Sequence, residues 1–118
     1  MAGSVATLTS KRLESWPRFV RALVADAVAT LQARRIWVFG SQARGDRGVG
    51  SDWDIAFELS GNEPEAWKSF CRRVHLDART LHEIDLVNLA DVGEALREAI
   101  LRDGVLVYEH TQTGPQAR

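Results

Sequence analysis

Several features that define common protein classes are missing from this chain of 118 residues. It has one cysteine, Cys71, so neither an internal disulfide nor a cysteine-rich metal site can form. No apolar run approaches the roughly 20 residues of a membrane span, and the N-terminus lacks the apolar core of a signal peptide. Fifteen basic and sixteen acidic residues leave a net charge of −1, without the basic excess of a nucleic-acid-binding domain. We therefore expect a cytoplasmic protein with no membrane partner and no direct contact with nucleic acid.

The chain does contain enough apolar material for a core. Hydrophobic residues make up 45% of it, and four of its residues are tryptophan. Its length is close to the commonest size of one domain. We expect a single domain over residues 1–118, ordered from about residue 12 to residue 110, with Cys71 packed as a core thiol.

The hydrophobic pattern alternates between helix and strand periods. Apolar residues three and four positions apart predict a first helix from near Ser15 to Leu31, whose apolar face is a candidate surface for a dimer or a partner. Two later helices are expected after the N-caps Asn62 and Asp91, the second closed by Gly104. Four strands are predicted, at Ile36–Phe39, Asp52–Leu59, Glu83–Leu89 and Val105–Glu109. The order α-β-β-α-β-α-β indicates an α/β fold with a small mixed sheet, and the first ten and last eight residues look like loose ends.

The segment GSQARGDRGVGSDWDIAF, Gly40–Phe57, joins a glycine-serine turn to a strand that begins with acids. Strand alternation puts Asp52 and Asp54 on one face, with their Cα atoms ~6.7 Å apart. The connection before them is too short for an ordinary crossover helix, so the strands on either side are expected to be antiparallel neighbours. Asp85 lies near the start of a later apolar strand. If that strand runs parallel to the one before it, three carboxylates converge at one edge of the sheet.

Such a cluster of carboxylates is typical of a metal site. Two carboxylates ~5 Å apart at an effective dielectric constant of ~20 repel by about 3 kcal/mol, and divalent cations remove this cost. Oxygen ligands without His or Cys suit Mg²⁺, which shares its shell with phosphate oxygens. Gly40 lets the backbone approach an anion, the Ser41 hydroxyl can hold phosphate oxygens, and Arg44 can bind phosphate bidentately. The residues therefore predict a metal-bound nucleotide as ligand.

The glycine-serine turn, the Ser-Asp-Trp-Asp strand and the third acid together resemble the DNA polymerase beta-like nucleotidyltransferase superfamily. The short chain and the segment ALREAILRDGVLVYE resemble its minimal nucleotidyltransferase branch. The resemblance implies the nucleotidyltransferase (polymerase beta-like palm) fold, two Mg²⁺ ions and ATP as substrate. It implies that Gly40, Ser41 and Arg44 bind the nucleotide. It also implies that three aspartates, Asp52, Asp54 and Asp85, are the catalytic and metal-binding residues.

In the minimal branch, many members pair with a HEPN-domain toxin, and some transfer AMP from ATP to a tyrosine of that toxin. The resemblance therefore implies an antitoxin that adenylylates its partner and releases pyrophosphate. Larger members carry further domains that hold the acceptor, so we expect the acceptor site here to be completed by another subunit or by the acceptor itself. Two alternatives stay open, an antitoxin that acts by binding alone and a transferase for small hydroxyl compounds. The nucleotide preference, and the choice between a homodimer and a hetero-oligomer, are open as well.

Overall fold

The computed structural model describes residues 4–8, 16–40, 52–61, 63–76 and 83–112, with the backbone alone for residues 4–8 and 111–112. The strands in these residues are β1 Ser4–Leu8, β2 Ala33–Phe39, β3 Trp53–Leu59, β4 Ile84–Asn88 and β5 Val105–Gln112. The helices are α1 Arg18–Leu31, α2 Pro64–Leu76 and α3 Glu94–Asp103, and a short 3-10 turn, Leu89–Asp91, precedes α3.

The strands form one mixed sheet in the order β1-β5-β2-β3-β4. β2 is antiparallel to both β3 and β5, whereas β3 and β4 are parallel. The helix α2 is the crossover between these two parallel strands, which a two-residue hairpin could not join. The predictions of an antiparallel first pair and of an α/β fold are therefore confirmed. The parallel pairing of β3 and β4 meets the condition under which Asp85 was expected at the same edge as Asp54.

The two faces of the sheet pack against different helices. On one face, Ile55 and Phe57 of β3 join the larger core cluster with apolar residues of α1 and α2. On the other face, Trp37 of β2 and Ala56 of β3 pack with Leu89 and with Ile100 of α3. Alternate residues of β3 thus enter different clusters, as the period of two in its sequence predicts.

The apolar stripe of α1 is part of the core. Its buried residues are Val20, Leu23, Val24, Ala27 and Leu31. The prediction that this face is a partner surface was wrong, because the sheet covers it. On the half-buried side of the helix, Arg73 of α2 binds Asp26 with a nitrogen–oxygen distance of 2.9 Å, which ties the two helices together.

Several predicted element ends differ from those in the structure. The first helix begins at Arg18 rather than near Ser15, with Pro17 immediately before it. Residues 4–8 were expected to be loose but pair with β5, which itself continues to Gln112. The pairing of β1 with β5 is a non-local contact, which local hydrophobicity does not reveal. It adds a strand before the first helix of the predicted order.

The caps around α3 were also partly wrong. Asp91 ends the 3-10 turn instead of capping the helix, and Asn88 caps that turn by accepting a hydrogen bond from the Ala90 N–H at 3.0 Å. The helix itself begins after Gly93. Gly104 does close it, donating its N–H to the Ile100 carbonyl at 2.8 Å, but with φ −71° and not in the left-handed region. The predicted cap Asn62 lies outside the described residues.

Two further expectations concern Cys71 and membranes. Cys71 is half-buried on α2 rather than enclosed in the core, and burial raises the pKa of its thiol. None of the described helices has the length and apolar character needed to cross a bilayer.

Candidate active site

The candidate site lies at the end of the sheet where β2 ends and where β3 and β4 begin. Phe39, the last residue of β2, is opposite Asp54 in the antiparallel register. Asp54 is in turn opposite Asp85 in the parallel register of β3 and β4. Gly40 follows directly after Phe39, so Gly40, Asp54 and Asp85 lie at one end of the sheet. Ser41, which was expected at the same place, lies outside the described residues.

The carboxylates share one face of the sheet. Register partners on neighbouring strands project to the same side, with Cα atoms ~4.8 Å apart, so Asp54 and Asp85 are adjacent. Ala56, two residues after Asp54, faces α3, which places the acids on the α3 face. Asp52 lies two positions before Asp54, next to the same strand end. Asp52 and Asp85 are exposed, and Asp54 is half-buried.

Buried aromatic residues hold the start of β3 from the opposite face. The Trp53 side chain is 2% exposed and makes edge-on contacts with Trp16 and Phe19, at ring-centroid distances of 5.4 and 5.5 Å. Its backbone N–H also donates to the Glu83 carbonyl at 2.8 Å. Trp53, between the two aspartates, is therefore held by side-chain packing and by its backbone hydrogen bond to Glu83. Asp52 and Asp54 thus project from a rigidly held stretch of backbone.

Gly40 has no room for a side chain. Its φ of +74° lies in the left-handed region, where residues other than glycine are strained. A Cβ built there would collide with the Asp54 carboxylate oxygen Oδ2 and would lie 3.3 Å from Asp54 Cγ. From sequence, the only reason for a glycine at residue 40 is that it lets the backbone approach a phosphate. The structure adds that the Asp54 carboxylate occupies the space that a side chain at residue 40 would need.

A comparison with protein-family models identifies the family. The model described as polymerase beta, nucleotidyltransferase matches residues 27–113, which include both strands that carry the aspartates. The chain belongs to this nucleotidyltransferase family. No curated protein matches the sequence at a significant level.

Solved structures share the fold of this nucleotidyltransferase at low sequence identity. A crystal structure described as a toxin-antitoxin with AMP-PNP matches with TM-score 0.59 and 22% identity, covering 77% of this chain and 71% of that one. The toxin-antitoxin MntA-HepT matches with TM-score 0.51 and 20% identity, over 76% and 67% of the two chains. A protein from Sulfolobus solfataricus, described as a candidate nucleotidyltransferase, matches with TM-score 0.50 and 20% identity, over 81% and 78%. At these identities the similarity shows the fold.

The donor set of the nucleotidyltransferase fits Mg²⁺ that arrives with a nucleotide. Within the ranges that the structure describes, no three His, Cys, Asp or Glu side chains are gathered closely enough to hold a metal ion by themselves. Mg²⁺ usually takes one or two protein carboxylates and completes its shell with phosphate oxygens and water. The register partners Asp54 and Asp85 supply such a carboxylate pair, and Asp52 lies two positions before Asp54.

Part of the predicted nucleotide-binding turn lies beyond the described residues. Ser41 and Arg44 both fall in the segment 41–51, so their nucleotide-binding roles stay predictions. Gly40, immediately before that segment, is the described end of the turn.

Three contacts were not identified from sequence. At the far end of β3, Glu58 accepts a hydrogen bond from Arg35 Nε at 2.6 Å, and this bond lowers the pKa of the Glu58 carboxyl. Arg35 also stacks on Trp37, with its guanidinium carbon 5.0 Å from the ring centroid. Near the start of β4, His75 Nε2 lies 3.1 Å from the Ile84 carbonyl oxygen. From sequence, His75 was expected to have a surface or structural role, because no two of the three histidines combine metal-ligand spacing with a supporting acid on one element.

Proposed function

We propose that this nucleotidyltransferase transfers AMP from ATP to a hydroxyl acceptor, a tyrosine of a HEPN-domain toxin, and acts as the antitoxin. The observation that carries the proposal is the pairing of Asp54 with Asp85 beside Gly40 at one end of the sheet. Membership of the family supports nucleotidyl transfer. The fold shared with toxin-antitoxin structures, one of them with AMP-PNP, supports a nucleotide substrate and a toxin partner.

The proposed reaction is an in-line substitution at the α-phosphorus of ATP. The acceptor oxygen forms a bond to this phosphorus while the bond to the oxygen bridging the α- and β-phosphates breaks. Pyrophosphate leaves with that bonding pair. A carboxylate oxygen of Asp85 takes the proton of the attacking hydroxyl and passes it to water, which reaches this exposed side chain.

The other two carboxylates would help to hold the metal. Asp52 and Asp54 would hold Mg²⁺ with Asp85, and the bound ions would neutralise charge on the phosphates and on the attacking and leaving oxygens. Gly40, Ser41 and Arg44 would hold the phosphates from the side of the turn. The exposure of Asp85 supports an acceptor tyrosine that is presented by another protein.

A transfer assay with matched variants tests the proposal. The full chain is incubated with labelled ATP, Mg²⁺ and the HEPN protein encoded next to it, and label on the partner is measured. We expect Asp54→Asn to lower transfer at least ~100-fold, because a carboxylate that holds the metal against the phosphates is lost. The thermal midpoint should stay close to that of the wild-type protein. Glu65→Gln, an exposed acid in the first turn of α2, is the charge-matched control and should transfer normally.

Absence of label on the partner with the wild-type chain would refute protein adenylylation. Labelling of small acceptors alone would instead favour a small-molecule transferase.

A measurement of how well each variant protects cells from the toxin separates an antitoxin that acts by catalysis from one that acts by binding. If the double variant Asp52→Asn, Asp54→Asn neutralises the toxin as well as the wild-type protein does, the antitoxin acts by binding alone.

A further inference from the structure

The third carboxylate, Asp85, lies on a strand that has a neighbour on only one side in the described sheet. β4 is the last strand in the order, and its one strand partner is β3. Asp85 is the second residue of β4. The described segment that contains it begins two residues earlier, at Glu83. A short edge strand opens more easily than a central one. The position of Asp85 therefore depends on what holds the first residues of β4.

One side of this strand start is held by the parallel ladder. The Trp53 N–H donates to the Glu83 carbonyl at 2.8 Å. In a parallel pair, alternate residues of a strand bond to the neighbour, and the residues between them direct their backbone groups to the opposite side. The carbonyl of Ile84 therefore points away from β3, towards the open edge of the sheet.

His75 covers this outward carbonyl. The imidazole lies in the last turn of α2, and its Nε2 is 3.1 Å from the Ile84 oxygen. A carbonyl oxygen only accepts, so Nε2 carries the proton in this contact. Val74, the residue before His75, is buried in the core, which fixes the helix end from which the imidazole reaches. The contact thus ties the residue directly before Asp85 to the packed part of the molecule.

We infer that His75 is a positioning residue for the metal site. Its hydrogen bond to Ile84 holds the start of β4 from the open side, while the ladder holds it from the β3 side. Together the two contacts keep Asp85 opposite Asp54. This inference rests on the proposed function, since it assigns the bond a role in the distance between two metal-binding carboxylates.

Variants of His75 in the full chain, probed with Mn²⁺ and a non-hydrolysable ATP analogue, test the inference. Bound Mn²⁺ is measured by electron paramagnetic resonance, and folding is followed by thermal denaturation. His75→Leu keeps the bulk but loses the donor, and we expect it to weaken Mn²⁺ binding about 3- to 10-fold, less than the loss of a direct partner of a ligand. His75→Gln places an amide nitrogen near the position of Nε2 and should restore most of the affinity. Leu76→Gln, at an exposed neighbour, should bind Mn²⁺ as the wild-type chain does.

Mn²⁺ affinity of His75→Leu equal to that of the wild-type chain would overturn the inference, whatever the change in thermal midpoint. Equal losses in His75→Leu and His75→Gln would also overturn it, because the hydrogen bond would then not be the cause. If His75→Leu does not fold, His75→Asn, which is too short to reach the carbonyl, takes its place.

Amide hydrogen exchange in the metal-free chain separates this inference from the proposed function. Faster exchange at the Asp85 amide in His75→Leu, but not in His75→Gln, supports the anchoring role even if the wild-type chain binds no Mn²⁺. In that case only the proposed metal site fails. Unchanged exchange at Asp85 in both variants refutes the anchoring role.

Discussion

Gly40, directly after β2, and Asp54, in β3, occupy one small volume at the end of the sheet. The carboxylate of Asp54 lies where a Cβ of residue 40 would be, and the glycine backbone has φ +74°. The left-handed backbone conformation and the nearby carboxylate therefore each require glycine at residue 40. Gly40 therefore lies directly against the acid that we assign to the metal.

We predict that Gly40→Ala lowers transfer activity and Mn²⁺ binding more than it lowers the stability of the fold. The methyl group must displace the Asp54 carboxylate, and the left-handed φ adds a cost of about 1 kcal/mol in stability. Transfer activity and Mn²⁺ binding should fall at least ~10-fold, because the carboxylate that we propose as a metal ligand is displaced. Both are measured beside the thermal midpoint.

Gly61→Ala is the matched control for this substitution. The nearest atom to a Cβ at residue 61 is Glu63 Cγ at 3.9 Å, which is an ordinary contact, so this variant should keep full activity. Normal Mn²⁺ binding by Gly40→Ala would show that Asp54 has another productive position.

At the scale of secondary-structure elements, the two faces of β3 have different roles: one packs in the larger core and the other carries Asp54. Trp53, Ile55 and Phe57 enter the larger core, whereas Asp54 and Ala56 face the side of α3. Phe57 is fully buried and makes edge-on contacts with Trp67 and Phe70 of α2, at centroid distances of 5.5 and 5.4 Å. Packing on one face thus holds the strand that presents acids on the other.

We predict that Phe57→Leu lowers stability while leaving the site intact. Loss of two aromatic contacts and of some volume should lower the free energy of unfolding by about 1–3 kcal/mol. At temperatures well below the lowered thermal midpoint, Mn²⁺ and nucleotide affinities should match those of the wild-type chain. A parallel loss of affinity at such a temperature would show that the two faces of β3 are coupled.

On the scale of the whole molecule, ligand binding and folding are linked. A ligand that binds the native state alone stabilises it by about 2.7 kcal/mol at 100 times its dissociation constant. For a domain of this size, 1 kcal/mol corresponds to a change of several degrees in thermal midpoint. We predict that Mg²⁺ with a non-hydrolysable ATP analogue raises the midpoint by ~5 °C or more.

Chelation of the metal should remove this increase. Asp54→Asn should show little or none of it, whereas Glu65→Gln should show all of it. An equal rise without Mg²⁺ would mean that the nucleotide binds independently of the carboxylates.

Much of the fold and part of the site could be predicted from sequence, for reasons visible at particular residues. The alternation of β3 assigns Asp54 and Phe57 to opposite faces without any knowledge of neighbouring strands. The short connection after Gly40 allows only a few arrangements, so the antiparallel pair was predictable. By contrast, residues 4–8 carry too weak a pattern to reveal that they pair with β5. The apolar stripe of α1 could have been covered by this chain or by another one.

The sequence by itself determined which residue types share a face and which acids interrupt apolar strands, because strand and helix periods are properties of local backbone geometry. It also carried enough of the family pattern to identify the family. The tertiary structure decided that Asp85 lies opposite Asp54, that the Asp54 carboxylate excludes a side chain at residue 40, and that His75 reaches the carbonyl of Ile84. These contacts join different secondary-structure elements, and only the packing of the sheet and its helices brings them together.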